Sequence, residues 1–390
     1  MSSRGRPGSR ARAAAAVALL VAATACSVAE PSAQPSPAPS SATTSASTSA
    51  SAPHAPTSAA EPQPQPPPPL TIAVAGDVHF EGALRDRLGD PATALAPATR
   101  QLAAADLAVV NLETSVGSGG RPEPGKRYTF QAPPTAFTAL AAAGIDVATM
   151  ANNHALDFGR GPLPGTFRAI GRAAAADPSL AVVGIGRDAA EAFRPALTDV
   201  DGTLVATIGA TVAGNDPTAD PTGQWAATAD SPGTADAIDP ARLLRAVEGA
   251  DRSADVVVVY LHWGVQGERC PGAGQRSLAG DLVDAGADVV VGSHTHRLQG
   301  DGRLRGGYVA YGLGNHAWYT QASEATSVTG VLTLTVRPAP SRAGRARVSE
   351  ATWEPARIGS DGLPSPVAGG ERARFHADLA ALRTCAGLAP

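Results

Sequence analysis

Five apolar runs along this chain each end in a cluster of His, Asp, Asn or Glu. They read TIAVAGDVH (71–79), LAVVNLE (107–113), VATMANNH (147–154), VVVVYLHW (256–263) and VVVGSHTH (289–296). Each run begins continuously apolar and rich in Val or Ile, which predicts strands buried on both faces, as in a parallel sheet. Ala/Leu-rich stretches near 91–104, 135–143 and 162–176 predict helices, with strands at 107–110 and 146–150 between them. This β-α-β-α alternation predicts parallel pairing. Short strands are predicted at 180–184, 194–199 and 203–209, and a long surface loop rich in Asp, Pro, Thr and Gly at 214–237. Helices at 239–249 and 275–285 lead to strands at 255–261 and 288–291. From 307 the texture changes to alternating strands, Tyr308–Gly312, Ser327–Val336 and Arg345–Trp353, before a helix near 370–384. The expectation is an α/β fold, a two-sheet sandwich flanked by helices.

The polar ends of the runs carry the chemistry. In an open α/β sheet the carboxyl ends of the strands share one edge, where ligands bind. That edge would bring Asp77, His79, Glu113, Asn153, His154, His262, His294 and His296 to one site. A lone buried His is ordinarily a satisfied core residue, but five of the eight His in the chain lie in these clusters. The set offers imidazole, carboxylate and amide oxygen without thiolate. Structural zinc favours Cys, so a structural zinc site is disfavoured. A mixed N/O set suits Mn, Fe, Zn or Co without choosing among them. One carboxylate between two cations about 3.5–4 Å apart is the arrangement of a two-metal hydrolase, and Asp77 and Glu113 are the candidates for that bridge. Two other features carry less. Gly184-Ile-Gly186 lacks the rest of a dinucleotide fingerprint, and Ser293 beside His294 lacks a nucleophile elbow.

Composition shrinks the folded part of the 390 residues. Residues 1–26 read as a lipoprotein-type export signal: Arg4, Arg6, Arg10 and Arg12, then apolar Ala13–Ala25, then Cys26 where a bacterial lipoprotein carries its lipid. The apolar stretch is too short for a stable membrane span. The alternative is a secretory signal cleaved near Ala25. Residues 27–69 are almost wholly Ser, Thr, Ala, Pro and Gln, with no aromatic. They cannot bury enough apolar area to fold, and at ~3.1 Å per residue could reach on the order of 100 Å as a tether. The net charge is −4; the leader holds four Arg and no acid, so the remainder carries −8. This lacks the basic footprint of a nucleic-acid binder. Lys is nearly missing. If Cys26 is lipidated, Cys270 and Cys385 remain, and in an oxidising compartment they are expected to pair, two isolated thiols being the alternative.

Taken together, GDVHFEG (76–82), DLAVVNLE (106–113), ANNHALDFG (151–159), LHWG (261–264), ADVVVGSHTHRLQG (287–300) and YGLGN (311–315) resemble the CapA family in order and spacing. These are capsule or poly-γ-glutamate biosynthesis proteins of the calcineurin-like metallophosphoesterase superfamily. The resemblance covers about 70–340, leaving 341–390 as a C-terminal strand and helix packed on that domain. It implies a four-layered α/β/β/α sandwich of the metallophosphoesterase type with two divalent metal ions. Asp77 and His79 correspond to its D-x-H ligands, Glu113 to the bridging carboxylate, and His262 to its isolated His ligand. His294 and His296 correspond to the final H-x-H pair. Asn153 corresponds to an amide ligand and His154 to the group facing the leaving oxygen, a general acid. Asn152, Asp157, Asn315 and His316 are expected beside the site. Two departures matter: Asn-Leu-Glu replaces the usual G-D motif, and His316 stands where an aromatic is usual. The resemblance implies hydrolysis of a phosphoester, or of an amide in an anionic γ-glutamyl polymer, by an activated water. The other reading is a noncatalytic protein of polymer assembly, export or binding. Expected partners are the anionic polymer or phosphoester, capsule-synthesis membrane proteins and, through the lipid, the outer face of the cytoplasmic membrane.

Overall fold

The computed structural model describes residues 67–96, 98–220, 225–319, 324–341 and 344–390. The leader, Cys26 and the tether up to residue 66 lie outside them. The chain enters a first sheet through β1 (Leu70–Val78), β2 (Leu107–Leu112), β3 (Val147–Thr149) and β4 (Ala181–Val183), all parallel. It then builds a second sheet from β5 (Ala196–Val200), β6 (Thr203–Thr211), β7 (Val256–His262), β8 (Val289–Ser293), β9 (Asp301–Leu304) and β10 (Gly307–Ala310). The spatial order is β9-β10-β8-β7-β6-β5, parallel from β6 through β8 to β10. The chain returns to the first sheet with β11 (Asn315–Ala317), β12 (Val328–Arg337), β13 (Arg347–Ile358) and β14 (Pro364–Pro366). That sheet runs β14-β13-β12-β1-β2-β3-β4, with β11 beside the end of β1.

Apolar residues on both faces of each strand force a layered solution. In β1, Ile72 and Val74 enter a core between the sheets shared with Val256, Val258 and Tyr260 of β7. Ala73 and Ala75 point the other way, toward Phe137 and Leu140 of α1 (Thr135–Ala142) and Leu163 and Phe167 of α2 (Leu163–Ala174). On the far side, Val257, Val259 and Leu261 pack with Leu243 and Val247 of α3 (Ala241–Asp251) and Leu278 and Leu282 of α4 (Ala273–Asp284). The result is a four-layered α/β/β/α sandwich. Each fully buried Val or Leu contributes roughly 1.5–3 kcal/mol to it. The last helix, α5 (Gly369–Ala386), sends Phe375, Leu379 and Leu382 into the inter-sheet core.

Two expectations are corrected. The helix expected at 91–104 is confined to Arg100–Ala104, with turns before it; Pro91 and Pro97 in that stretch remove backbone donors and disfavour helix for the residues ahead of them. The five run ends also do not share one sheet edge: three belong to the first sheet and two to the second.

Candidate metal centre

The site lies where the ends of β1, β2 and β3 meet those of β6, β7 and β8. Glycine permits the approach on one side. A Cβ on Gly76 would stand 1.8 Å from the Gly314 carbonyl oxygen, and it is this oxygen that accepts the Asp77 amide at 3.0 Å. β11 can therefore lie against β1 with Asn315 in register with Asp77. On the other side the loop after β8 holds His294 at φ 94° and His296 at φ 54°. Left-handed backbone at a non-glycine residue costs of order 1–3 kcal/mol, and such strain concentrates at functional sites.

Glu113 is the centre of the arrangement. It is fully buried, and neither carboxylate oxygen has a hydrogen-bond partner among the described residues. Such a group is normally satisfied, so it calls for an explanation. On one side Asp77, Glu113 and His296 each bring a ligand atom within 4.8 Å of the others. On the other, His262 Nε2 lies 3.6 Å from Glu113 Oε1, 2.7 Å from Asn153 Oδ1 and 3.0 Å from His294 Nδ1. Burial pushes Glu113 well above the usual carboxylate range, and the charge of Asp77 adds to this. Asp77 is held well below it: burial opposes ionisation, but His296 and His262 outweigh that. Burial keeps His79 and His262 well below the usual imidazole range and lowers His294, against its Asp216 partner. Neutral imidazole is the form that ligates metal. Partnerless carboxylate oxygens, neutral imidazoles and an amide oxygen aimed at one another fit divalent cations.

A second ring of side chains fixes the first. Asn111 Nδ2 donates to Asp77 Oδ1 at 2.7 Å, and Asn152 Nδ2 donates to Asn111 Oδ1 at 3.0 Å. Asn315 Oδ1 lies 2.8 Å from His296 Nδ1, which selects the Nδ1–H tautomer. His294 Nε2 lies 2.9 Å from Asp216 Oδ2, leaving its Nδ1 lone pair toward His262. Carboxylates and amides behind ligating His orient the ring and raise its basicity. Sequence does not single out Asp216, and it marks Asn111 only as part of the Asn-Leu-Glu departure, without a role. Asn111 hides inside an apolar run. Asp216 sits in the loop expected at 214–237, where acidic residues carry no periodic signal.

The remaining candidates are placed as follows. His79 Nε2 accepts the Tyr319 amide at 2.9 Å and its ring stacks on Trp318, leaving Nδ1 buried without a partner. Asn152 Oδ1 accepts the His154 amide at 3.0 Å. His154 Nδ1 lies 2.7 Å from Asp157 Oδ2, and its Nε2 is 3.8 Å from Glu113 Oε1. Burial pushes His154 down to about 4, against the pull of Asp157. Phe130 stacks on the same ring at 4.3 Å. His316 is buried with neither ring nitrogen partnered, and burial pushes it down to about 4. It touches none of the site side chains through a hydrogen bond among the described residues. Cys270 and Cys385 are disulfide-bonded, with Cα atoms 5.8 Å apart, tying the segment before α4 to α5.

Compared with known proteins, residues 71–319 match the family model described as "Bacterial capsule synthesis protein PGA_cap". The chain is 35% identical over 184 residues to the capsule biosynthesis protein CapA of Bacillus anthracis, covering 45% of this chain and 41% of that protein. It is 31% identical over 218 residues to a probable polyglutamine synthesis accessory protein of Mycobacterium tuberculosis, covering 54% and 55%. The matched stretch thus spans about half, or less, of the length of these relatives. Among solved structures, a novel phosphatase from Mycoplasma pneumoniae superposes with a TM-score of 0.44 at 13% identity, over 73% of this chain and 93% of that one.

Proposed function

The chain belongs to the bacterial capsule synthesis family PGA_cap, and on that premise we propose that it is a metal-dependent hydrolase acting on an anionic capsule polymer or a phosphoester. The observation that carries this reading is Glu113, with two buried, partnerless oxygens between two groups of ligand atoms. One cation would be held by Asp77, Glu113 and His296, with His79 beside them. A second would be held by Glu113, Asn153, His262 and His294. When bound, divalent cations supply Lewis acidity at the bond to be cleaved and favour ionisation of a water nucleophile. The protein's own part is orientation and proton handling. Asn111, Asp216 and Asn315 hold Asp77, His294 and His296 in place. The Nδ1–H of His154 donates to Asp157, so that Nε2 is the atom exchanging a proton with the departing group. Asp157 also stabilises the imidazolium through which that exchange passes.

Export and lipid anchoring at Cys26 belong to the same proposal and are supported by the sequence of residues 1–26 alone, secretion being the alternative. Among the described residues no helix is long and apolar enough to cross a membrane. The test is metal analysis of the purified protein, then a hydrolysis screen over phosphoesters and γ-linked glutamate oligomers with Mn²⁺, Zn²⁺ and chelator. About two divalent ions per chain are expected, both weakened in Glu113→Gln. Full occupancy in that variant would overturn the site. A second reading, a metal-containing but noncatalytic assembly protein, is favoured by the sealing of the ligands: Asp77, Glu113, His262 and His294 have no exposed surface. Bound metal with no hydrolysis of any probe would support it.

A further inference from the structure

Lys126 is the only lysine in the chain; every other one of the 31 Lys and Arg side chains is arginine. It rises from a Gly/Pro-containing loop, yet its side chain is completely buried. Its ammonium lies 2.6 Å from Asp157 Oδ1, hydrogen-bonds the Asn153 main-chain carbonyl, and sits 4.6 Å from the centre of the Trp225 ring. The other Asp157 oxygen, Oδ2, takes His154 Nδ1 at 2.7 Å and the Phe130 amide at 2.6 Å. One cation therefore reaches both halves of the candidate site. Through the carbonyl it fixes the backbone of Asn153, a candidate metal ligand. Through Asp157 it fixes the ring of His154.

We propose that Lys126 is a positioning residue that sets Asn153 and His154 in their working places together. This rests on the metallohydrolase reading for the His154 half, but not for the Asn153 half. A buried charge is retained only where its partners compensate the loss of water. Here every partner is part of the site or packs beside it. The residue type also matters. An ammonium is compact and directs its donors tetrahedrally, whereas guanidinium is planar and forked. Two oxygens in different directions beneath an aromatic face suit the first. In a chain that otherwise uses arginine throughout, lysine stands at the one position where that difference bears on the site. The same loop is secured from outside by Asp220, which accepts the Arg127 and Tyr128 amides at 2.7 and 3.2 Å and pairs with Arg127 Nε at 2.9 Å. Lys126 is thus delivered by a segment anchored independently of it, so its loss need not release the loop.

The experiment compares the full-length protein with Lys126→Met, Lys126→Arg and Lys126→Ala. Two quantities are read: Mn²⁺ affinity by competition with a chelator, and kcat and KM for p-nitrophenyl phosphate. Changes behind a metal ligand typically cost 10–100-fold in affinity or activity, so Lys126→Met should weaken Mn²⁺ by about 10-fold or more. It should lower kcat by roughly 100-fold with KM little changed. Lys126→Arg should not restore either value, whereas ethylammonium added to Lys126→Ala should restore part of kcat; a merely structural role predicts neither result. Should Lys126→Met fail to fold, the double variant Lys126→Met/Asp157→Asn removes both buried charges; it should fold and remain impaired. Wild-type Mn²⁺ affinity in the folded variants would overturn the proposal, even if the wild-type protein hydrolyses nothing. If the wild type binds Mn²⁺ without hydrolysis while Lys126→Met loses affinity, the hydrolase reading fails and the positioning role at Asn153 stands.

Discussion

Asn153 and His154 are neighbours in sequence whose side chains meet different partners. Asn153 Oδ1 points at His262 Nε2 among the ligand atoms, whereas His154 turns its Nδ1 to Asp157 and stacks on Phe130. Asn153→Ala is expected to weaken metal binding. His154→Ala is expected to keep the metal and lose on the order of 10²–10⁴-fold in turnover, the usual contribution of a positioned general acid–base group. Metal analysis and steady-state rates on both variants check this. Loss of metal from His154→Ala, to the degree seen in His294→Ala, would make His154 a ligand instead. At this scale the sequence was informative where a polar residue closes an apolar run. It was uninformative for Asp216 and Lys126, whose loops carry no period, so that only the chain's return path shows them behind His294 and His154.

Among the elements, β11 and α5 show how distant segments complete what the first strands begin. Asn315 reaches His296 because Gly76 lets β11 press against the end of β1. The resemblance placed Asn315 beside the site, but nothing in Gly312-Leu-Gly-Asn reads as a strand completing the first sheet. The C-terminal helix is joined to the segment before α4 by the Cys270–Cys385 bond, across a separation of 115 residues. Closing a loop of that length should stabilise the domain by about 4–5 kcal/mol through the unfolded chain. Thiol titration of the unfolded, unreduced protein is expected to find neither Cys270 nor Cys385 free. Urea unfolding before and after reduction measures the stabilisation, and coincident transitions would contradict it. Sequence could pair the cysteines only by elimination, since a separation along the chain sets no distance in space.

For the molecule as a whole, two sheets face one another across an apolar core, and a buried carboxyl outside it ties stability to pH. Asp288, just before β8, accepts the Val257 amide at 2.9 Å and lies 3.6 Å from Arg345 Nε. Burial pushes its carboxyl up to about 6, against these partners. The folded state therefore holds the proton more tightly than the unfolded chain does. The contribution to stability is complete below about pH 4 and lost as pH rises through about 6. Relative to Asp288→Asn, the wild type should lose up to about 3 kcal/mol over that window. Urea midpoints of both proteins from pH 4 to 7 measure it, and parallel curves would contradict it.

The sequence by itself determined the strand-forming runs, their burial on both faces and the polar residues that end them. These follow from local pattern: continuous Val/Ile/Leu requires cover on both sides, and ligand-type side chains follow directly. It also indicated helices on both outer faces. Tertiary structure alone decided that the runs divide between two sheets, three ends in one and two in the other. It alone decided that Glu113, and not Asp77, has both oxygens partnerless between the two ligand groups, and that Asn111, Lys126 and Asp216 stand behind them. Pairing across sheets depends on packing between segments far apart in the chain, and no periodicity along the chain encodes it.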